Sequence, residues 1–263
     1  MKFFLFFFLS VLLCGVQGFS ETKCFLLSEK GYILKQEGNC KERHAPCSTF
    51  KIPISLMGYN DGILIDAVTP EWPFKQRYAD WYEIWKRPQN PTSWIKNTCV
   101  WYSQLITQKI GLRKFKAYLA QFDYGNQDVS GDKGKNNGLT ESWLSSSLKI
   151  SGLEQLAFLE KLLNDKLPVS AKAQRLTRHL LFVEDLAPGW KLYEKTGSGR
   201  VPKPDGSQGD LKMGWFIGWI QKGDRKVLFV HYIEDDKKME DSGGSRAKEI
   251  AKKKLLEFVQ STE

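Results

Sequence analysis

An almost entirely apolar run from Phe3 to Leu13 follows Met1-Lys2 and gives way to Gly15, Gln17, Gly18, Phe19 and Ser20. A positive start, an apolar stretch and a small-residue exit predict a secretory signal segment over 1–19, too short to span a membrane. The mature chain is then 20–263, with cleavage near Gly18 or Phe19. Cys14 is preceded by Leu13, not by the small residue that lipidation needs. No later run reaches the ~18 apolar residues of a membrane helix, so the pattern predicts an exported chain with no membrane anchor.

Beyond that segment the apolar positions change period. Lys23 to Ser28 and Gly31 to Gln36 read as two strands about a Ser-Glu-Lys-Gly turn. An apolar, helix-like stretch containing Ile52, Ile54, Leu56 and Met57 follows and ends near Asn60-Asp61-Gly62. From about 66 to 100 the chain is rich in Trp and Pro, which predicts long loops and short helices. Trp101 to Ile110 and Leu112 to Phe122 read as helices broken at Gly111, and Gly125 to Gly138 as a polar loop. Ser151-Gly152-Leu153-Glu154 has capping-box spacing ahead of Leu156, Phe158, Leu159, Leu162 and Leu163. Ala171 to Leu186 reads as a further helix. Lys191 to Lys195, Met213 to Gln221 and Lys226 to Ile233 are strand-like, the last two joined at Lys222-Gly223-Asp224. A helix over about Ser245 to Val259 closes the chain.

Strands, many helices, strands and a helix, in that order, predict an α/β (α+β) fold. A central antiparallel sheet drawn from both chain ends is flanked by helices, with an all-helical lobe inserted. The expected single bilobed domain has a sheet lobe over about 20–62 and 187–263 and a helical lobe over about 63–186. A cleft between lobes is a natural ligand site.

Composition changes this picture little. The chain has 263 residues, 9 Trp and 16 Phe, and a formal charge of +9 that falls to +8 without Lys2. Acidic residues are interspersed with the basic ones, and Lys252-Lys253-Lys254 fits a solvated helix face, so nucleic acid is not an expected partner. A basic pocket for a small anion is equally compatible. Cys24, Cys40, Cys47 and Cys99 remain after signal removal; an exported chain permits a disulfide, and spacing does not give its connectivity. The three histidines are scattered, so neither a metal site nor a serine–histidine–acid triad is expected.

The chemistry lies in Pro46-Cys47-Ser48-Thr49-Phe50-Lys51-Ile52-Pro53. Serine and lysine three apart share one helix face, and a neutral lysine, or a derivative of it, can take the serine proton. Ser-x-x-Lys occurs six times, at Ser20, Ser48, Ser93, Ser130, Ser146 and Ser245, so spacing alone decides nothing. Only the Ser48 copy is wrapped in apolar residues after a proline. Lys195-Thr196-Gly197-Ser198 lies at the end of an expected strand. There Lys195 and Thr196 could grip a carboxylate and Gly197 would let a ligand near, although a plain turn fits those residues better when they are read alone. Thr98-Cys99-Val100, Tyr124-Gly125-Asn126 and Trp143-Leu144 say little singly.

Taken in order, these pieces resemble the penicillin-recognising serine acyltransferases, and more closely the class D (oxacillinase-type) β-lactamases. Leu148-Lys149-Ile150-Ser151, Gly214-Trp215-Phe216-Ile217-Gly218-Trp219 and Arg246 also fit, and the resemblance spans the mature chain. It implies periplasmic hydrolysis of the β-lactam ring of penicillin-type antibiotics through a Ser48 acyl-enzyme. The implied general base is Lys51 N-carboxylated by CO₂; no cofactor or metal is implied. Phe50, Val100, Trp143 and Leu144 would wall the lysine, and the Trp143 indole N–H would hold the carbamate. Thr98 would pass a proton to the lactam nitrogen; the family usually has serine there. Backbone N–H groups of Ser48 and Ser198 would form the oxyanion hole, and Lys195, Thr196 and Arg246 would hold the substrate carboxylate. The implied partner is a small-molecule β-lactam and the implied state a monomer or weak dimer. A non-hydrolysing penicillin sensor and a D-Ala-D-Ala peptidase are the alternatives.

Overall fold

β1 (Glu21–Glu29) and β2 (Tyr32–Gly38) form a hairpin whose turn residues, Lys30 and Gly31, both have positive φ, as a tight primed turn requires. The structure is a computed structural model and describes residues 20–203, 205 and 207–262; the expected signal segment, Cys14 included, lies outside the described residues. A disulfide links Cys24 on β1 to Cys40 just past β2, leaving Cys47 and Cys99 as buried free thiols.

β3 (Arg43–His44) leads to a 3-10 turn, Cys47–Phe50, and then to α1 (Lys51–Asn60). Every α1 residue from Lys51 to Tyr59 is buried, the mark of a helix inside a core. α2 (Pro91–Lys96), α3 (Val100–Ile110), α4 (Leu112–Phe122) and α5 (Gly138–Glu141) follow. β4 (Ile150–Ser151) pairs with β3 and runs into α6 (Gly152–Leu163), where Ser151 and Glu154 make the reciprocal cap that their spacing predicts. α7 (Ala171–Leu180) ends the helical stretch.

The chain then returns to the sheet through β5 (Phe182–Ala187), β6 (Trp190–Pro202), β7 (Gln208–Lys222) and β8 (Arg225–Glu234), and closes with α8 (Gly243–Ser261). The strand order is β2-β1-β8-β7-β6-β5, all neighbours antiparallel. Alternate residues of the central strands enter different cores. Trp215, Ile217 and Trp219 join the large core with α1, α3 and α6. Phe216, Ile220 and Phe229 join a smaller one, closed by the four-residue stripe Ala247, Ala251, Leu255 and Val259 of α8. The antiparallel sheet with its helices matches the expected fold class.

Two expectations fail. The helix expected over Ala171 to Leu186 stops at Leu180, and Phe182–Ala187 is an edge strand turned into β6 at Gly189. An edge strand with half-exposed side chains carries no clean alternation, so its apolar residues read as a continuation of the helix. Lys195-Thr196-Gly197 does not end a strand either: β6 continues to Pro202, and Gly197 sits opposite Trp215 in mid-ladder.

Candidate active site

The 3-10 turn Cys47–Phe50 delivers Ser48 to the surface of the core, half-buried between buried Cys47 and Thr49. Cys47 adopts φ +50°, a conformation costly for a residue with a side chain and common at functional turns. Its N–H donates to the Trp143 carbonyl at 3.0 Å. Thr49 Oγ1 donates to Pro46 O at 2.7 Å and accepts from Gln155 Nε2 at 2.9 Å, while the Tyr124 hydroxyl donates to Gln155 Oε1 at 3.4 Å. The turn is therefore pinned from α6 and from the Tyr124-Gly125-Asn126 segment.

Lys51 heads α1 and donates from Nζ to Ser48 Oγ at 3.1 Å. The side chain is wholly buried. Burial first, and the Lys195 charge second, lower its pKa to about 7. A large share of Lys51 is then the neutral amine at physiological pH, which an exposed lysine is not. Burial pushes the neighbouring thiols the other way, Cys47 up to about 11 and Cys99 up to about 12, so both stay uncharged.

Trp143 is fully buried, its ring 5.5 Å from that of Phe50 and 6.3 Å from that of Phe115. Its indole N–H has no hydrogen-bond partner among the described residues. An unmet buried donor costs about 1–3 kcal/mol, and such a group calls for an explanation, a catalytic role or a bound group among them. Asn126 fastens the loop that carries Trp143: its Nδ2 donates to Ser147 O, and its Oδ1 accepts from Lys149 N.

β6 passes directly against the Ser48 turn. A Cβ on Gly197 would lie 2.8 Å from Pro46 O and 3.2 Å from Thr49 Cγ2, so no other residue fits without displacement. Lys195 is almost wholly buried and donates to Thr196 O at 3.2 Å and Thr196 Oγ1 at 3.4 Å. Burial lowers its pKa to about 8, against the pull of Glu194. Ser198 is exposed, and its Oγ accepts from Gly244 N at the start of α8. A cavity of about 350 Å³ opens beside Ser198 and Gly199.

Thr98 lies half-buried in the link between α2 and α3, with φ +52°, an unusual state for a β-branched residue. Val100, buried at the start of α3, follows the α3 cap Cys99. Arg246 lies in the first turn of α8. Its guanidinium pairs with Asp235, whose carboxylate is wholly buried, and donates also to Ser20 Oγ and Asp241 O. A buried carboxylate holds that cation firmly.

Gln155 escaped the sequence reading. The available signal was a polar residue on the otherwise apolar face of α6, where it is buried beside Leu156 and Leu159. Among the described residues no group of His, Cys, Asp and Glu could hold a metal, and no helix is long and apolar enough to cross a membrane.

A family model described as the penicillin binding protein transpeptidase domain matches residues 27–256. β-Lactamase OXA-9 of Klebsiella pneumoniae is 39% identical over 232 residues, covering 86% of this chain and 84% of its own. β-Lactamase OXA-1 of Escherichia coli is 44% identical over 212 residues, covering 79% and 74%. The crystal structure of OXA-427 class D β-lactamase superposes with a TM-score of 0.86 at 41% identity, covering 90% of this chain and 98% of that one. Likeness of this extent runs through the same turn, helices and central strands that hold Ser48, and the chain belongs to the class D serine β-lactamases, a branch of the penicillin-binding transpeptidase family.

Proposed function

We propose that this β-lactamase opens the lactam ring with Ser48 as nucleophile and with Lys51, N-carboxylated by CO₂, as general base in both acylation and deacylation. One observation carries this reading: a wholly buried, neutral-leaning Lys51 amine, 3.1 Å from the Ser48 hydroxyl, with an unpartnered indole N–H on Trp143, whose ring packs against the adjacent Phe50. Only a neutral amine combines with CO₂, and the product is an anion that needs a donor where water is excluded. The Trp143 N–H fits that need. When carboxylated, Lys51 supplies a carboxylate-like base for the Ser48 proton and for the water that later releases the acyl group.

The remaining roles fall to the chain's own groups. Ser48 Oγ attacks the lactam carbonyl. The N–H groups of Ser48 and Ser198 receive the developing oxyanion, worth about 3–4 kcal/mol per donor. The Thr98 hydroxyl delivers a proton to the lactam nitrogen, and Val100 keeps the lysine dry. Lys195 and Thr196 bind the substrate carboxylate, with Gly197 giving the substrate access to the strand. Arg246, engaged by Asp235, is left out of this step. Export to the periplasm, where β-lactams meet their targets, fits this use.

The purified mature chain should turn over benzylpenicillin and a chromogenic cephalosporin past one equivalent. A stoichiometric burst with no steady rate would instead mean a sensor or a peptidase. After dialysis at low pH without CO₂, activity on return to neutrality should depend on added bicarbonate. Equal rates with and without it would remove the carbamate from the mechanism.

A further inference from the structure

Two cavities adjoin along the far part of β6. The larger, about 650 Å³, is walled by Arg43, Lys133, Lys149 and Arg200. The smaller opens beside Ser198 and Gly199 and holds Trp81 and Tyr82, two aromatic residues that are 63% and 56% exposed. Leu144, Ser145 and Arg200 line both, so a ligand gripped at Ser198 can run from one into the other. The backbone N–H of Arg200 donates to Ser145 Oγ at 3.3 Å, which fixes this strand to the Trp143 loop.

The charges here are unbalanced. Arg43 is spent on Glu154, and Lys135 on Asp132. Asp128 accepts from Ser130 N. Among the described residues Lys133 and Lys149 meet no carboxylate, and the Arg200 guanidinium donates only to the backbone carbonyl of Asp210. Across the ladder, Arg200 sits opposite Lys212, which donates to the carbonyls of Glu240 and Asp241. Two cations directly opposite on neighbouring strands repel. Glu240 is the one carboxylate among the residues lining the smaller cavity. Uncompensated cations at the rim of a cleft focus anions into it.

Reach fits the same conclusion. Ser198 and Arg200 lie on one face of β6, with Cα atoms about 6.6 Å apart for two strand steps. In a penicillin, the first carbon of the acyl side chain beyond its amide lies about 5 Å from the scissile carbonyl, at ordinary bond lengths. A group on that carbon would meet the Arg200 side chain when the carbonyl faces Ser198.

We propose that this groove selects β-lactams carrying a second negative charge on the acyl side chain, with Arg200 as its main partner, Lys149 and Lys133 in support, and Trp81 and Tyr82 receiving an aryl ring. The proposal rests on the Ser48 reading above. Carbenicillin and benzylpenicillin test it cleanly, because they differ by one carboxylate at that carbon. In Arg200→Gln the ratio of kcat/KM for carbenicillin over benzylpenicillin should fall about tenfold, mostly through KM, as loss of one charge-assisted contact implies. Benzylpenicillin itself should change less than twofold. Arg200→Lys should keep most of the ratio, Lys149→Gln with Lys133→Gln should lower it less, and added salt should lower it in wild type only. A ratio unmoved in Arg200→Gln, or an equal loss on both penicillins, overturns the proposal. Acylation rates by the two compounds read the same ratio, so absent turnover would sink the hydrolase reading while the groove is still judged.

Discussion

Lys51 illustrates how burial sets the chemistry of one side chain. Its pKa of about 7 in the fold lies below its ordinary 10.5, chiefly through desolvation. Between those values the unfolded chain binds more protons at this site than the folded one, so stability rises with pH across that window; below about 7 the full cost of the buried charge is present. In CO₂-free buffer, Lys51→Met should therefore raise the melting temperature by a few degrees near pH 6.5 and flatten its rise toward pH 10, while abolishing turnover. Calorimetry across that range checks it. Lys195, held to about 8, leaves a smaller rise of the same sign in the variant. Trp143 is the complementary case, a donor held ready without an acceptor. Trp143→Phe keeps the ring against Phe50 and Phe115 and removes only the N–H. Deacylation should slow by roughly 10- to 100-fold, the worth of one hydrogen bond to a charged group, and the carbamate signal under ¹³C-bicarbonate should weaken in NMR. An unchanged signal would free Trp143 of that role.

At the scale of elements, what the sequence could show follows from how local the cause is. The Ser151/Glu154 cap is a contact between residues three apart, and it forms as read. The β7–β8 hairpin is local in the same way. β5 is an element only because β6 lies beside it, and Phe182 and Val183, 43% and 44% exposed, give no buried face to read. The site divides similarly. Ser48 and Lys51 are one turn apart and were legible; that Gln155 holds Thr49, and Asp235 holds Arg246, depends on separations no local pattern records. The Cys24–Cys40 link joins the two kinds of cause. A Cβ on Gly152 would lie 2.5 Å from Cys24 Sγ, so the disulfide sits under the first turn of α6, the helix whose Gln155 steadies the nucleophile turn. Cys24→Ser with Cys40→Ser should cost about 3 kcal/mol, the chain-entropy value for a loop of this length. Chemical denaturation measures it, and a loss under 1 kcal/mol would mean that the sheet and α6 hold that corner without help.

For the molecule as a whole, the sheet is assembled from both ends of the chain, and the β1–β8 seam is where the two ends meet. Asp235 and Arg246 stand at that seam. Asp235 follows β8, Arg246 opens α8, and both reach Ser20 ahead of β1: Ser20 Oγ donates to Asp235 and accepts from Arg246 Nε. One buried ion pair thus ties the first described residue to the final helix, whose Gly244 presses on Gly197 and Ser198. Removing one partner of such a pair leaves the other charge buried and unmatched, at about 3–5 kcal/mol. Arg246→Ala should therefore lower the melting temperature by on the order of 10 °C. If the arginine serves the fold alone, KM for benzylpenicillin should stay within about twofold of wild type at a temperature where the variant is folded. Had Arg246 been the substrate's carboxylate partner, KM would rise about tenfold, the loss of one charge-assisted contact. Asp235→Asn separates the two further. It loosens the lock but leaves the cation, now free to swing toward Lys195 and Thr196. A fall in KM in Asp235→Asn, together with a lower melting temperature, would mean that the seam keeps from the cleft a cation that the substrate carboxylate could otherwise use.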